Sequence, residues 1–332
     1  MTQSPTTKPS IAKPKTSLAR KLRYLFEAAG FFAIIGAFRL FNIDRASAIG
    51  GWIGRKLIAP TKFSNLAREN LHAAFPEKSS EDVETIICGM WDNLGRVMAE
   101  YAHLDKISSQ GTDPRIVISG LEYAPSMEQR ENGVLLISAH FANWEIMPTA
   151  AREFGLSGAT IVRPTNNPFV NAWLEKLRTR NGMPELVSKG GDALRRIYGI
   201  LRGGNYICML VDQRASEGVL VPFFERDAFT TPAPGALALR LKATILPFSN
   251  ERVDGARFQL RLHPVIEAPN TGDPQRDILE FAAKINAFVE ERVRERPEQW
   301  LWIHRRWVAA DAPLRKRAQA LAGASKATSK RV

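Results

Sequence analysis

Short apolar segments rich in β-branched residues alternate with helical segments in the last two thirds of the chain. This alternation limits the possible folds more strongly than any other feature of the sequence. The runs are RIVISG, GVLLISAH, GATIVR, NYICMLVD, ATILPFSNERV and RFQLRLHPVI, and segments such as PFVNAWLEKLRTRN and GDALRRIYGILRGG lie between several of them. Strands that alternate with helices form a mainly parallel sheet with helices packed on its faces. The sequence therefore predicts an α/β core with a mainly parallel central sheet over residues 111–309.

The segment that precedes this core has a helical pattern. Apolar residues recur at helical spacing in ASAIGGWIGRKL, NLARENLHAAF and SEDVETIICGMWDNLGRVMAEYAHL, and Ser80 leads an acidic first turn, as is typical of a helix start. We predict a helical lead-in at residues 44–110, which joins the α/β core in one domain over residues 44–309. The core closes with a long amphipathic helix and the aromatic-rich segment WLWIHRRW.

An apolar segment near the amino terminus predicts contact with a membrane. Residues 24–41 read YLFEAAGFFAIIGAFRLF, but the uninterrupted apolar stretch covers only residues 28–38. A helix of that length rises about 16 Å, well short of the hydrocarbon core of about 30 Å. We expect a membrane-anchor helix at residues 24–43, either in the interface or spanning with help from its charged ends. The first core helix of a soluble domain and a signal peptide are the alternatives.

The positive charge of the chain is concentrated at its two ends. The formal net charge is +12, of which residues 1–23 carry +6 and residues 310–332 carry +5. A nucleic-acid enzyme usually carries its positive charge on the folded surface that follows the phosphates, whereas basic ends suit an anionic membrane or an acidic partner. We predict a disordered basic tail at residues 1–23, a basic tail at residues 310–332, and no nucleic-acid partner.

The cysteines and the missing motifs limit the chemistry. Cys88 and Cys208 lie in a helical and a strand-like pattern, so we expect buried structural thiols and a reducing compartment. The sequence has no clustered metal ligands, no glycine-rich phosphate loop and no GxSxG nucleophile motif. These observations predict no metal and no cofactor, and they argue against a serine hydrolase.

A histidine at the end of a predicted strand is the leading candidate for catalysis. GVLLISAHFANWEI places His140 there, with Glu145 five positions later. Residues five apart on a continuous helix do not face each other, so these side chains can meet only across a strand-to-helix turn. There the carboxylate would hold the imidazole as a general base. His72 and Glu77 have the same spacing, but we interpret them as structural or surface residues because they are remote from any strand end.

Several blocks occur in an order that is typical of one enzyme family. The blocks are LAREN with AAFPE, SAHFANWEI, RPTNNP with LEKLRTRNG, the segment from VDQRASEG to KATILPF, and WLWIHRRW. Together they resemble the late acyltransferases of lipid A biosynthesis, within the glycerolipid acyltransferase superfamily, and SAHFANWEI looks like the H-x4-[D/E] block of that family. The sequence departs from the family at Glu225, where a glycine commonly follows two phenylalanines.

This resemblance implies a fold, a reaction and a location. It implies a glycerolipid acyltransferase-like fold and transfer of a fatty acyl group from acyl carrier protein to a hydroxyl of a Kdo-bearing lipid A precursor. The implied partners are the acyl carrier protein thioester, the lipid A precursor and inner-membrane lipid, with the catalytic domain on the cytoplasmic face of the inner membrane. The anchor is then either re-entrant or interfacial, or it spans against the usual charge bias.

The resemblance also implies roles for individual residues. His140 and Glu145 match the catalytic dyad, in which the histidine takes the proton of the attacking hydroxyl, the carboxylate holds the ring, and no acyl-enzyme forms. The functional arginine of the family falls on Arg178, with Arg180 as the alternative, and its aspartate falls on Asp212. Arginine suits the phosphates or Kdo carboxylates of the acceptor because it binds such groups bidentately. The predicted substrate-binding residues are Arg163, Arg178, Asp212 and Arg214, although Asp212 is alternatively a helix cap or a partner of Arg214.

Other interpretations stay open at this point. The acceptor is alternatively another glycolipid or a lysophospholipid, although the FPEGTR-like motif of the phospholipid branch is absent. A non-catalytic protein that binds anionic lipid is a further alternative. The phenylalanine-rich residues 218–232 either line an acyl channel, meet lipid or form a loop over the sheet. Trp300, Trp302 and Trp307 lie either at a membrane interface or in a buried terminal strand.

Overall fold

A computed structural model describes residues 17–124, 131–153, 157–182, 185–188, 192–215 and 218–307. The predicted basic tail at residues 310–332 and most of the one at residues 1–23 lie outside these ranges. In the described part, a helical segment is followed by a sheet whose strands alternate with helices.

The strands of the described ranges form one large sheet and one hairpin. They are β1 Ile116–Ser119, β2 Val134–Ser138, β3 Gly158–Val162, β4 Glu185–Ser188, β5 Tyr206–Leu210, β6 Val219–Phe223, β7 Arg226–Thr230, β8 Thr244–Asp254 and β9 Arg257–Leu262. The large sheet has the order β1-β9-β8-β2-β5-β3-β4. Its neighbours are parallel except for the antiparallel pair of β8 and β9. This confirms the predicted α/β fold with a mainly parallel central sheet.

The helices of the described ranges lie before the sheet, between its strands and, for the last helix, after its final strand. They are α1 Leu18–Arg39, α2 Ile43–Ile53, α3 Asn65–Ala74, α4 Ser80–Glu100, α5 Met147–Glu153, α6 Pro168–Arg180, α7 Ala193–Arg202, α8 Ala233–Leu241 and α9 Pro274–Glu295. A π-helical turn follows α2 at Gly54–Ile58, and a 3-10 turn follows α4 at Tyr101–Lys106. Further 3-10 turns are Lys62–Ser64, Leu121–Tyr123, Trp144–Ile146 and Pro297–Gln299. The helical pattern predicted for residues 44–110 is therefore seen from α2 to the turn after α4.

The first helix differs from the predicted membrane anchor in its bounds and in its packing. It begins at Leu18 because the Ser17 hydroxyl accepts a hydrogen bond from the Arg20 backbone N–H, so the disorder expected up to residue 23 is wrong for its last six residues. It packs against α6, where the rings of Phe31 and Trp173 lie 5.3 Å apart. No helix in the described ranges is both long and apolar enough to cross a membrane, so the structure does not support the anchor in the fold prediction.

Two glycines allow α2 and α4 to cross closely. A Cβ on Gly50 would lie 2.3 Å from the backbone oxygen of Gly95, and a Cβ on Gly95 would lie 2.1 Å from the backbone oxygen of Gly50. Those separations are below van der Waals contact, so only glycine fits at this crossing. The crossing lies in the last two turns of α4, which ends at Glu100 and is followed by Tyr101; both residues contact the site described below.

The phenylalanine-rich region at residues 218–232 forms the hairpin of β6 and β7 rather than a loop. Phe223, Phe224 and Phe229 are all buried, so their rings pack inside the domain. The hairpin escaped prediction because its turn residues, Phe224 and Glu225, carry no turn signal. β4 escaped prediction for another reason, since it has only four residues and one buried side chain.

The turn of this hairpin makes a testable prediction about Glu225. Phe224 and Glu225 have φ values of 51° and 55°, the left-handed geometry that tight hairpin turns favour and that glycine adopts at no steric cost. We expect Glu225→Gly to raise the free energy of unfolding by about 1 kcal/mol. Urea denaturation measures this change. Glu225→Ala is the matched control, because alanine keeps the steric cost; an equal gain in both variants would contradict the explanation.

The closing aromatic segment is buried rather than placed at a membrane interface. Trp300, Trp302 and Trp307 are 1%, 0% and 8% exposed. Trp300 and Trp307 form isolated bridges to Phe141 and Ala228 instead of a continuous strand. Of the two predicted placements, burial is therefore the observed one, without a regular terminal strand.

The two thiols differ in burial. Cys208 lies in β5 and is fully buried, as predicted, and burial raises the pKa of its thiol well above the usual range. Cys88 lies on α4 and is only half-buried, so the prediction of a buried thiol is wrong there. Neither forms a disulfide.

Candidate active site

The ends of two neighbouring parallel strands bring His140 and Asp212 together. β2 and β5 pair with Ser138 opposite Leu210, and each polar residue follows its strand by two positions. His140 Nδ1 lies 2.8 Å from Asp212 Oδ1, and the His140 backbone N–H donates to Asp212 Oδ2 at 3.0 Å. The Trp300 indole N–H also donates to Oδ2, at 2.8 Å. The pair therefore lies at the carboxyl edge of the sheet, where α/β proteins place their functional groups.

This pairing sets the tautomer and the charge of the imidazole. Burial alone disfavours the charged ring, but the charge of Asp212 and its hydrogen bond outweigh burial and raise the pKa of His140. Burial opposes ionisation of Asp212 as well, yet His140 lowers the pKa of that carboxyl far below its ordinary value. An ionised carboxylate can only accept, so Nδ1 carries the proton and Nε2 carries the lone pair. A ring in this state is ready to act as a base.

Glu145 does not make the contact that was predicted for it. It lies in the 3-10 turn after His140, is 3% exposed, and accepts hydrogen bonds from the Tyr101 hydroxyl at 2.7 Å and from Arg178 Nε at 2.8 Å. A second guanidinium nitrogen of Arg178 completes a bidentate pair. The prediction that Glu145 holds the ring by direct contact is therefore wrong; Asp212 does so, because the bidentate guanidinium binds Glu145. Glu145 still contributes its charge to the raised pKa of His140.

The structure separates the predicted arginines. Arg178 pairs with Glu145, whereas Arg180 is exposed at the end of α6, so Arg178 is the arginine that reaches the histidine-bearing turn. Arg163 is exposed in the segment after β3. The guanidinium of Arg214 lies 5.9 Å from the centre of the Phe229 ring. Of the predicted arginines, Arg178 is therefore the one that the structure pairs with a carboxylate of the histidine-bearing turn.

A buried polar network fixes the turn between His140 and Glu145. Asn143 donates to Glu100 Oε2 at 2.8 Å, and its own side-chain oxygen accepts from the Glu145 N–H at 3.1 Å. Glu100 is fully buried and paired with Arg252. Ala142 within this turn has a φ of 41°, a strained value for alanine. Asn143 and Glu100, which the sequence alone did not single out, therefore hold this turn.

A second imidazole faces the first. His304 lies in the closing aromatic segment, and its ring centre is 5.5 Å from that of His140. The side-chain nitrogen of Gln213 lies 3.3 Å from His140 Nε2 and 3.4 Å from His304 Nε2. Burial lowers the pKa of His304. Sequence reasoning missed this residue as a site candidate because it follows no strand; the surrounding WLWIHRRW block was the only signal.

The second histidine–glutamate pair with this spacing, His72 and Glu77, lies at the surface. His72 is exposed on α3, and Glu77 is exposed beyond its end. The prediction for this pair is confirmed. Across the described ranges, no group of three or more histidine, cysteine, aspartate or glutamate side chains is arranged to hold a metal ion.

Comparisons with known proteins agree on one family. The sequence matches the family described as bacterial lipid A biosynthesis acyltransferase over residues 12–309. It is 27% identical over 257 residues to the lipid A biosynthesis lauroyltransferase of Escherichia coli (strain K12), covering 74% of this chain and 78% of that protein. The palmitoleoyltransferase of the same strain is 27% identical over 248 residues, covering 73% and 78%. Its myristoyltransferase is 26% identical over 241 residues, covering 70% and 72%.

A solved 1-acyl-sn-glycerophosphate acyltransferase, PlsC from Thermotoga maritima, aligns at 14% identity with a TM-score of 0.34, covering 76% of this chain and 96% of that one. This likeness is too distant to support an argument. The family match, in contrast, spans most of the sequence, including every block singled out above and both strand ends that bear His140 and Asp212. The chain belongs to the bacterial lipid A biosynthesis acyltransferase family and is an acyltransferase.

Proposed function

We propose that the protein moves a fatty acyl group from an acyl carrier protein thioester to a hydroxyl of a Kdo-bearing lipid A precursor, with His140 as the general base. The observation that carries this proposal is the His140–Asp212 pair, whose geometry leaves the lone pair on Nε2. An alcohol is a weak nucleophile at neutral pH, so its attack on a thioester needs a base of this kind.

The proposed reaction proceeds by direct transfer. His140 Nε2 takes the hydroxyl proton while the oxygen attacks the thioester carbonyl, and Asp212 stabilises the imidazolium that forms. The tetrahedral intermediate then expels the thiolate, which takes the proton from the imidazolium. One ester bond forms, one thioester bond breaks, and the ring returns to its starting state. No residue of the chain becomes acylated in this sequence.

The ion pair of Glu145 and Arg178 supports this chemistry from one side. Arg178 forms an ion pair with the buried carboxylate of Glu145. We therefore assign it to holding the turn after His140 rather than to binding acceptor phosphates. The negative charge of Glu145 adds to the field that favours the protonated ring. The exposed Arg163 remains our candidate for the phosphates or Kdo carboxylates of the acceptor.

We further propose that α1 rests on the cytoplasmic face of the inner membrane. Leu18, Leu22, Leu25 and Phe26 lie on one face of this helix and are 73%, 48%, 49% and 78% exposed. Basic residues lie among them in the sequence LARKLRYLF, and such a combination suits an anionic interface. A surface contact of this kind leaves the catalytic residues on the side of a cytosolic acyl donor.

This surface predicts the effect of a change at Phe26. We expect Phe26→Asp to weaken binding to vesicles that contain anionic lipid by at least about tenfold, because a phenylalanine contributes roughly 1.5–3 kcal/mol on burial. Vesicle co-sedimentation measures the binding. Leu279→Asp is the matched control, since Leu279 is 41% exposed on α9 and outside this face. Equal loss in both variants, or none in either, would contradict the assigned surface.

The reaction itself is tested by mass spectrometry of the acceptor. We expect the purified protein to add the mass of one acyl chain to a Kdo-bearing lipid A precursor when an acyl carrier protein thioester is supplied. Lysophospholipid and other glycolipids serve as competing acceptors in the same assay. Transfer only to one of those acceptors, or transfer to none while vesicles are still bound, would contradict the proposed substrate.

A further inference from the structure

Gln213 connects the two histidines of the site. It follows Asp212 directly, its side chain is exposed, and its amide nitrogen lies within hydrogen-bonding distance of Nε2 of both His140 and His304. A side-chain amide nitrogen carries two N–H donors, which is the number needed to serve two rings.

His304 is held firmly enough to be a defined partner. Asn70 donates to its backbone oxygen at 2.7 Å and to that of Trp302 at 2.7 Å. The backbone N–H of Arg306 donates to the same oxygen of His304 at 2.8 Å. Arg306 is itself fully buried, and its guanidinium binds the backbone oxygen of Phe229 at 2.8 Å. The fold therefore fixes the backbone that carries the second ring.

The hydrogen bonds of the His140 ring show which of its nitrogens the Gln213 amide contacts with a free lone pair. Nδ1 of His140 donates its proton to Asp212, so Nε2 can only accept. The amide of Gln213 consequently lies on the lone pair that the proposed reaction needs. A hydroxyl that enters as a proton donor has to take the same place.

We propose that Gln213 is a positioning residue that contacts the Nε2 lone pair of His140 until the acceptor hydroxyl takes that place, and then keeps only its contact with His304. The identity of the entering group rests on the proposed function, whereas the contact of Gln213 with the two rings does not. In the bound state the hydroxyl donates to His140 Nε2, and the amide keeps its hydrogen bond to His304. His304 thereby gives the displaced amide a partner, which reduces the cost of displacement.

The proposal has a consequence for the titration of His140. An N–H donor on Nε2 stabilises the neutral ring, so its loss favours the protonated ring, and a carboxylate in its place favours that ring further. The charged and titratable groups around the ring that stay unchanged in this comparison are Asp212, Glu145, Tyr101, Arg178 and His304.

Titration of His140 by NMR in Gln213 variants tests the contact. The His140→Ala and His304→Ala proteins assign the two imidazole signals. We expect the pKa of His140 to rise by roughly half a unit in Gln213→Ala and by about one unit or more in Gln213→Glu. Gln110→Glu, at an exposed residue before β1, adds the same charge outside the site and should leave the titration unchanged. An unchanged His140 pKa in Gln213→Glu would overturn the proposal.

Steady-state kinetics test the displacement. We expect Gln213→Ala to lower the KM of the acceptor by roughly two- to tenfold with kcat retained, because the hydroxyl no longer displaces a hydrogen bond. A loss of kcat at unchanged KM would overturn the proposal, since it would place Gln213 in the chemical step. If the NMR shift is found but the wild-type protein shows no transfer, the proposed function fails while the contact stands.

Discussion

Replacing His140 by alanine is expected to lower kcat for acyl transfer by roughly 10³- to 10⁴-fold, because the variant has no group to take the proton of the attacking hydroxyl. The fold should persist. Asp212 keeps two donors to its Oδ2, the backbone N–H at position 140 and the Trp300 indole N–H. Binding to anionic vesicles should also persist, since α1 is unchanged.

Two further variants make the measurement specific. His140→Gln offers a side-chain donor toward Asp212 but no base, so we expect it to be as inactive as the alanine variant. His72→Ala alters an exposed histidine on α3 and should leave turnover unchanged. Acceptor mass spectrometry follows product formation in all of them. Wild-type turnover in His140→Ala would contradict the assignment of His140 as general base. An acyl group trapped on any side chain would contradict the proposal of direct transfer without an acyl-enzyme.

The parts of this site that the sequence predicts are those set by local pattern. A run of buried residues that ends in a polar group places His140 at a sheet edge, and the same pattern in NYICMLVD places Asp212 at the end of another strand. The sheet was predictable for the same reason. Local pattern does not show which strands are neighbours in the sheet. β2 and β5 are neighbours there although β3 and β4 separate them along the chain.

The partner of each side chain depends on that missing information. The spacing pattern paired His140 with Glu145 because the two are close in sequence. In the fold, His140 contacts Asp212, which is 72 positions away, and Glu145 contacts Arg178, which is 33 positions away. His304 lay outside prediction because its segment has no regular secondary structure and is held by contacts with Asn70 from α3. Short-range spacing found the turn that carries His140 but assigned the wrong carboxylate to its ring.

Replacing Asp212 by asparagine gives the second large effect, an expected loss of roughly 10³- to 10⁴-fold in kcat, which is similar to the effect of the corresponding change in a Ser-His-Asp triad. The geometry explains why so small a change should matter. Oδ2 accepts two hydrogen bonds, from the His140 backbone and from Trp300, so the amide oxygen of an asparagine must occupy that position. The amide NH₂ then faces Nδ1 and forces the proton onto Nε2, where the base needs its lone pair.

This reversal of tautomer can be observed without turnover. We expect ¹⁵N NMR of the His140 ring to report a protonated Nδ1 in the wild type and a protonated Nε2 in Asp212→Asn. The pKa of His140 should fall in the variant, because the carboxylate that raises it is gone. The base must be neutral, so the loss of kcat/KM at low pH should begin at a lower pH than in the wild type. Glu145→Gln is the control: it removes a more distant charge and should lower this pKa less while leaving the proton on Nδ1. A larger fall in Glu145→Gln, or an unchanged tautomer in Asp212→Asn, would return the orienting role to Glu145.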